Sequence, residues 1–364
     1  MFAPPERRLG GRLALPAAQC YAARMHPLAE KVIAGDVRAA ARACRLADDR
    51  VGEYLTILKD LFPHTGRAWT VGITGNPGAG KSTLTDRLIG FHRKQGKRVA
   101  VVAIDPTSPY TGGAILGDRI RMQEHALDPG VFIRSLATRG ALGGLTRSAA
   151  DIVRILDAWG ADVILIETVG VGQDEIEITR MAQTTLVVAA PGMGDEVQAI
   201  KAGILECADV FAVNKADREG ADGAVRDLEL MIALGGEVTR AGGHSRGHGH
   251  GAGALDLEKQ VVTHGATSWL PRIARTVSTR NQGIAELAEM LEQHRIWLTG
   301  TEAGAARGRV RLREAMDAHL RDALSQAALA SLAGEIDRAV DAVASRALDP
   351  YSAAEQLVAA FRGR

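Results

Sequence analysis

The segment TVGITGNPGAGKSTL, from Thr70 to Leu84, restricts the fold of this chain more than any other part of the sequence. Within it, Gly75 to Ser82 fits the pattern G-x-x-x-x-G-K-[ST], with a short β-branched run before it and a helical pattern after it. Glycines let backbone N–H groups converge on phosphate oxygens, and the dipole of a helix that begins there favours the same negative charge. The segment therefore predicts a phosphate-binding loop between a strand and a helix.

The residues of this loop have expected parts in binding a nucleotide. The Lys81 side chain is expected to reach the β- and γ-phosphates and so to take part in catalysis, and the Ser82 hydroxyl is expected to ligate Mg²⁺. The residues predicted to contact the nucleotide here are Gly75, Asn76, Pro77, Gly78, Ala79, Gly80, Lys81, Ser82 and Thr83.

Short β-branched runs alternate with helical stretches on both sides of the loop. Strands are predicted at Thr70–Thr74, Arg98–Ile104, Val131–Ser135, Val163–Thr168, Thr185–Ala190 and Val210–Asn214, with a final short run at Thr276–Ser278. Continuous apolar strands separated by helices are typical of a parallel sheet that is covered on both faces. The predicted fold is therefore α/β, a P-loop NTPase with a mostly parallel central sheet.

Helical patterns flank this region at both ends of the chain. The predicted division is a tail over residues 1–24, an N-terminal helical segment over 25–66, a P-loop domain over 67–300 with a Gly/His-rich loop at 239–254, and a C-terminal helical arm over 301–364. Asp349 and Pro350 are expected to begin the last helix, as its N-cap and first residue. That helix carries Leu357, Val358 and Phe361, which need an apolar surface, either in a second copy or on the chain's own P-loop domain.

The base is expected to be read by Asn214-Lys215-Ala216-Asp217, which fits N-K-x-D directly after an apolar strand. A carboxylate at Asp217 can accept hydrogen bonds from guanine N1–H and N2–H₂, a pair that adenine does not offer. The pattern therefore predicts GTP and GDP as ligands and argues against an ATP-dependent kinase or transport ATPase. Ser278 and Thr279, in VSTRNQG, are expected to add backbone contacts to the guanine.

Three acids compete for the metal that accompanies the phosphates. Asp105 and Glu167 each end a predicted strand, and Asp118 follows the glycine-rich TGGAILG. Mg²⁺ takes one or two carboxylates together with phosphates and waters, so the three acids divide between direct ligation and support of the ligands or a helix cap.

Composition limits the partners and the compartment. The formal net charge is +1, which gives no bulk electrostatic case for nucleic acid or an anionic membrane, and no apolar run approaches the roughly 18 residues that span a bilayer. The three cysteines lie far apart with no CxxC spacing, which argues against disulfides and a zinc site. We expect a reducing compartment, the cytoplasm.

The first 24 residues are Arg-rich with a single acid, Glu6. A transit peptide has such a composition. A disordered tail, or an upstream start codon ahead of Met25, accounts for it as well.

Four runs of the sequence resemble those of a known protein family. The runs GITGNPGAGKSTL, IDPTSPYTGGAILGDRIRM, ETVGVGQDE and NKAD are similar to the MeaB/ArgK/MMAA family of SIMIBI-class P-loop GTPases, over roughly residues 25 to 364. The family's members are chaperones of adenosylcobalamin-dependent acyl-CoA mutases. The resemblance implies GTP hydrolysis that gates adenosylcobalamin delivery to such a mutase, for example methylmalonyl-CoA mutase, and protects or reactivates it.

The resemblance also implies roles for particular residues and partners. Asp105, Asp118 and Glu167 match acids around Mg²⁺, and Ala190 to Gly203 matches a switch segment in which Lys201 serves partner-stimulated hydrolysis. The implied partners are the mutase, a cobalamin adenosyltransferase and a second copy of the chain, held through a C-terminal dimerisation arm. The chain departs from the family pattern at Ser278-Thr279, where Ser-Ala is usual, and in its His-rich insertion.

That insertion supports a rival hypothesis. His244, His248 and His250 have a spacing that can bind Ni²⁺, Zn²⁺ or Cu²⁺, and related SIMIBI GTPases insert nickel into metalloenzymes. No cysteine lies near a predicted switch, and the insertion follows the base-recognition motif. A flexible loop with incidental histidines explains the same residues.

Overall fold

Seven parallel strands form one sheet at the centre of the computed structural model. The structure describes residues 25–105, 123–125, 127–137, 144–168, 178, 181–192, 208–241 and 269–363. The strands are β1 (Trp69–Gly75), β2 (Val99–Asp105), β3 (Val131–Ala137), β4 (Val163–Thr168), β5 (Thr184–Ala189), β6 (Val210–Asn214) and β7 (Arg272–Thr276). Their order across the sheet is β3-β2-β4-β1-β5-β6-β7. The predicted α/β P-loop fold is thereby confirmed.

Helices cover the sheet and continue beyond it. They are α1 (Pro27–Ile33), α2 (Val37–Asp49), α3 (Tyr54–Leu61), α4 (Lys81–Lys94), α5 (Gly144–Ala158), α6 (Ala221–Ala241), α7 (Ile284–Gly300), α8 (Glu302–Ser331), α9 (Ala333–Ala344) and α10 (Pro350–Arg362). Short 3₁₀ turns lie at Phe62–His64, Gln123–His125 and Ser278–Arg280. Within the described ranges, no helix is both long and apolar enough to cross a membrane.

The two faces of the sheet have separate apolar cores. On one face, α5 packs on the strands, α1, α2 and α3 pack against α5, and Ile57, Leu61 and Trp159 belong to their common core. On the other face, α4 and α7 pack on the same strands through residues such as Leu88 and Leu291. The N-terminal helices are therefore part of the main core, because their apolar residues are buried in one cluster with those of α5 and of the strands beneath it.

A buried carboxylate attaches the beginning of α8 to the sheet. Asp209, just before β6, accepts hydrogen bonds from Arg307 Nη1 and Nη2 at 2.6 and 3.1 Å and from the Thr185 backbone N–H at 2.8 Å. His294 Nε2 lies 3.3 Å from the same carboxylate, and burial lowers the pKa of His294 to about 4, against the opposing effect of Asp209. An unpaired charge is costly in such a place, so the Asp209–Arg307 pair fixes this end of α8.

Beyond this attachment, α8 presents apolar side chains to water. Leu312, Met316, Leu320 and Leu324 follow one another at a spacing of four residues, and each is more than half exposed. We call these four residues the α8 stripe. The predicted N-cap of α10 is confirmed, because the Asp349 carboxylate accepts from the backbone N–H groups of Tyr351 and Ser352.

Two predicted boundaries are wrong. The last strand is Arg272–Thr276 rather than Thr276–Ser278. It is an edge strand in which two arginines face water, so it lacks the apolar run that marks the other strands. The helix α6 continues to Ala241, so it overlaps the first residues of the loop that was predicted over 239–254.

Candidate nucleotide-binding site

The predicted phosphate and base motifs come together at one edge of the sheet. β1, β4 and β6 are parallel members of this sheet, so their carboxyl ends share an edge, where open α/β sheets bind ligands. The phosphate loop follows β1, Glu167 lies at the end of β4, and Asn214 ends β6. The order of the strands therefore gathers motifs that lie far apart in the sequence.

Two glycines give the phosphate loop its path. Gly75 and Gly80 have φ angles of 128° and 93°, in the left-handed region. A Cβ atom on Gly75 would lie 2.1 Å from the Val188 carbonyl oxygen, and one on Gly80 would lie 2.4 Å from Asn214 Nδ2. No other residue type fits either position without moving a neighbouring strand or the Asn214 side chain.

The Lys81 ammonium is held inside this loop. Its Nζ donates to the carbonyl oxygens of Gly75 at 2.6 Å and Asn76 at 3.0 Å. The side chain is buried at the beginning of α4, where the helix dipole adds positive potential. The lysine charge is thus concentrated where the sequence predicts phosphate oxygens.

A hydroxyl and a carboxylate meet beside the loop. Ser82 Oγ donates to Glu167 Oε1 at 2.6 Å, and both residues are buried. Nearby, the side chains of Thr168 and Thr74 hydrogen-bond at 3.2 Å and join the ends of β4 and β1. Hydroxyl and carboxylate oxygens are ligands that suit Mg²⁺, so the pair fits the predicted metal position.

Several of the other predicted site residues lie outside the described part of the chain. Asp105 ends β2, which pairs with β4 next to Glu167, but the Asp105 side chain lies outside the described part of the chain. Asp118 also lies outside the described residues. The same holds for Lys201 and for His244, His248 and His250. Among the residues described, no group of three or more His, Cys, Asp or Glu side chains could hold a metal ion.

The Asn214 amide joins the phosphate loop to the predicted base loop. Its Nδ2 donates to the Ala79 carbonyl oxygen at 2.9 Å. Its Oδ1 accepts from Ser278 Oγ at 2.8 Å, and from the Ser278 backbone N–H and Thr276 Oγ1 at 3.2 Å each. Ser278 is buried by these contacts, whereas Thr279 is exposed.

The remainder of N-K-A-D forms a turn above the loop. Lys215 has a φ of 58°, unusual for a residue with a side chain, and its Nζ donates to the Gly78 carbonyl oxygen at 2.7 Å. This turn leaves Asp217 exposed, with Arg280 Nη2 at 3.4 Å from Asp217 Oδ2. Arg280 was not among the residues predicted from the sequence. Its position directly after Ser278-Thr279, which were predicted to contact the guanine, was the one local indication of a role.

The fold and the site together define a P-loop protein of the GTPase type. Comparison with known proteins makes this more specific. Residues 40–333 match the family described as "Methylmalonyl Co-A mutase-associated GTPase MeaB". The chain therefore belongs to the MeaB family, and it is a GTPase.

Individual relatives agree with this assignment. A Pyrococcus horikoshii protein whose name includes the word GTPase is 45% identical over 337 residues, which is 93% of this chain and 98% of that protein. The GTPase ArgK of Escherichia coli is 42% identical over 161 residues, 44% of this chain and 49% of ArgK. The "Methylmalonic aciduria type A homolog, mitochondrial" of Caenorhabditis elegans is 31% identical over 311 residues, 83% of this chain and 70% of that protein.

A solved structure shows the same fold. The crystal structure of a LAO/AO transport system kinase superposes with a TM-score of 0.60 at 22% identity, covering 92% of this chain and 96% of that one.

The Ser82–Glu167 pair generates a prediction about the metal. Ser82→Ala and Glu167→Gln should each weaken the apparent affinity for Mg²⁺ in GTP hydrolysis by about 10- to 100-fold, because each removes an oxygen from the metal's surroundings. Nucleotide binding measured without Mg²⁺ should change much less. Titrating Mg²⁺ in a phosphate-release assay checks this, with Glu289→Gln, an exposed acid on α7, as the control. An unchanged Mg²⁺ requirement in both variants would contradict the assignment.

Proposed function

We propose that this protein binds GTP and GDP with Mg²⁺ and uses GTP hydrolysis to gate adenosylcobalamin delivery to an acyl-CoA mutase, such as methylmalonyl-CoA mutase. In the same cycle it protects or reactivates that mutase. The observation that carries the proposal is the match of residues 40–333 to a family described as mutase-associated GTPases. The arrangement at the sheet edge supports the nucleotide half of it.

In the proposed site, each side chain has a chemical task. The loop N–H groups and Lys81 would hold the phosphates, and Ser82 and Glu167 would hold the Mg²⁺, which would supply positive charge to the phosphate oxygens. Asp217 accepts from the guanine edge. Among the residues described, none is placed as a strong general base, so we expect slow hydrolysis until a partner completes the site.

The proposed link to the mutase is the segment from Ala190 to Gly203. It begins directly after β5. This strand pairs with β1, and β1 leads into the phosphate loop. A segment attached there can respond to the nucleotide and to a partner at the same time. Lys201 is the residue in it that we propose to stabilise charge on the phosphates when the mutase is bound.

The base preference follows from Asp217. Asp217→Asn should reduce the preference for GDP over ADP by about 100-fold or more, because the amide presents a donor to guanine N1–H or N2–H₂ in place of an acceptor. Fluorescence titration with both nucleotides checks this, and Asp222→Asn, an exposed carboxylate on α6, serves as the control. A wild-type protein that binds ADP as tightly as GDP would refute the GTP assignment.

The mutase link is tested by stimulated hydrolysis. Saturating methylmalonyl-CoA mutase from the same organism should raise kcat for GTP. In Lys201→Ala the basal kcat should stay within about twofold, while about tenfold or more of the stimulation is lost, on the scale of removing one charge-stabilising donor. Arg226→Ala, an exposed cation on α6, is the control. Full stimulation of Lys201→Ala, with the complex intact, would exclude this lysine, and a mutase that neither binds nor stimulates the wild type would refute the proposed function.

We further propose a homodimer in which the α8 stripe is part of the interface, as the resemblance implies. Met316 and Leu320 lie one turn apart and are 66% and 55% exposed in a single chain. Met316→Glu with Leu320→Glu should yield a monomer, because charges would have to be buried in the contact. Light scattering measures this, with Ser325→Glu on the opposite side of α8 as the control. A dimer of undiminished affinity in the double variant would place the interface elsewhere.

A further inference from the structure

We propose that Arg280 is a positioning residue for the base-reading carboxylate of Asp217 and thereby contributes to guanine specificity. The inference rests on the proposed function, since it assumes that Asp217 reads guanine. The starting observation is the ion pair of Arg280 Nη2 with Asp217 Oδ2 at 3.4 Å. Among the described residues, Arg280 is the cation that pairs with the Asp217 carboxylate.

The backbone under Arg280 is fixed by a closed set of hydrogen bonds. Val277 and Gln282 exchange N–H···O bonds of 3.0 and 3.2 Å, and Arg280 N–H donates to the Val277 carbonyl oxygen at 2.9 Å. Asn281 and Gly283 adopt left-handed φ angles of 56° and 72°, which close the turn. Arg280 therefore projects from a defined place, although its side chain is exposed.

The backbone under Asp217 is fixed against the same strand. Arg218 N–H donates to the Lys215 carbonyl oxygen at 3.0 Å, and Ala216 N–H donates to the Thr276 carbonyl oxygen at 3.0 Å. Thr276 ends β7, one residue before the turn that carries Arg280. The turn with Asp217 is hydrogen-bonded to the end of β7, and the turn with Arg280 follows β7 directly. Because both backbones are already fixed, this pair costs less conformational entropy than an ordinary surface ion pair does.

The geometry of the contact favours support of Asp217 rather than competition with the base. The contact printed for the pair joins one guanidinium nitrogen, Nη2, to one carboxylate oxygen, Oδ2, at 3.4 Å, which is longer than a strong charge-assisted hydrogen bond. A carboxylate has about four lone-pair positions, so Asp217 keeps enough of them to accept from guanine N1–H and N2–H₂. Arg280 thus limits the rotation of the carboxylate and keeps it facing the position of the base.

A similar ion pair, a few residues earlier on β7, provides the control. Arg275 on β7 pairs with Asp222 on α6, and both side chains are exposed. Neither residue lies in the turns that carry Asp217 and Arg280. Replacing Arg275 removes a charge of the same kind from the same edge of the sheet without touching the proposed base site.

The experiment measures the dissociation constants of GDP, IDP and ADP for the wild type, Arg280→Gln, Asp217→Asn, the double variant and Arg275→Gln. IDP lacks the N2 amino group, so its base offers Asp217 one hydrogen bond fewer. Arg280→Gln should weaken GDP binding by about 1.5- to 5-fold, the range for exposed ion pairs, and should weaken IDP binding less. The effect should shrink at about 1 M salt, where exposed charges are screened. It should vanish in the Asp217→Asn background, and Arg275→Gln should match the wild type.

Three outcomes overturn the role of Arg280 alone. They are unchanged GDP affinity in Arg280→Gln, tighter GDP binding in that variant, and a loss of the same size when Asp217 is already asparagine, which would mean direct contact with the base. If one of these outcomes is found while Asp217→Asn loses the preference for GDP over ADP, the role of Arg280 is wrong but the proposed GTP site is still supported. A wild type that does not prefer GDP to ADP overturns both proposals.

Discussion

The side chain of Asn214 is the contact on which the geometry of the site depends. It donates to the Ala79 carbonyl oxygen in the phosphate loop and accepts from Ser278 and Thr276, so both ends of one buried amide are satisfied. A buried amide that lost these partners would carry the full cost of desolvation. Gly80 leaves the space for this contact, since a Cβ there would overlap Asn214 Nδ2. This one amide therefore sets the distance between the phosphate loop and the loop that is predicted to read the base.

Strand β6 also connects the candidate site to the beginning of α8. β6 has Asn214 at its carboxyl end, and Asp209 directly precedes its amino end. Asp209 holds Arg307 and so fixes the beginning of α8, the helix that carries the exposed α8 stripe. The proposed base site and the proposed dimer arm are thus attached to opposite ends of one buried strand, because a parallel strand crosses the whole core between its two edges.

Most of the fold could be predicted, and the errors have a common cause. β1, β4, β5 and β6 are buried throughout, so their apolar runs were visible in the sequence. β7 was misplaced by four residues at its start because its arginines lie at the edge of the sheet. In the site, Ser82 Oγ and Glu167 Oε1 are in contact, and each residue could be named as a candidate metal ligand because it lies in a short local pattern, the phosphate loop or a strand end. Arg280 was missed because its partner lies 63 positions earlier in the chain, and nothing in VSTRNQG names Asp217.

The sequence by itself determined the phosphate loop, the N-K-A-D turn, the buried strands and the family, because each is written in a short contiguous run whose residue types are required locally. Only the tertiary structure decided the strand order β3-β2-β4-β1-β5-β6-β7, the packing of α1–α3 against α5 in one core, and the contact of Asn214 with Ala79 across 135 positions. These depend on which apolar faces bury one another. Which faces pack together depends on contacts among all elements of the core, so no short stretch of the sequence encodes it.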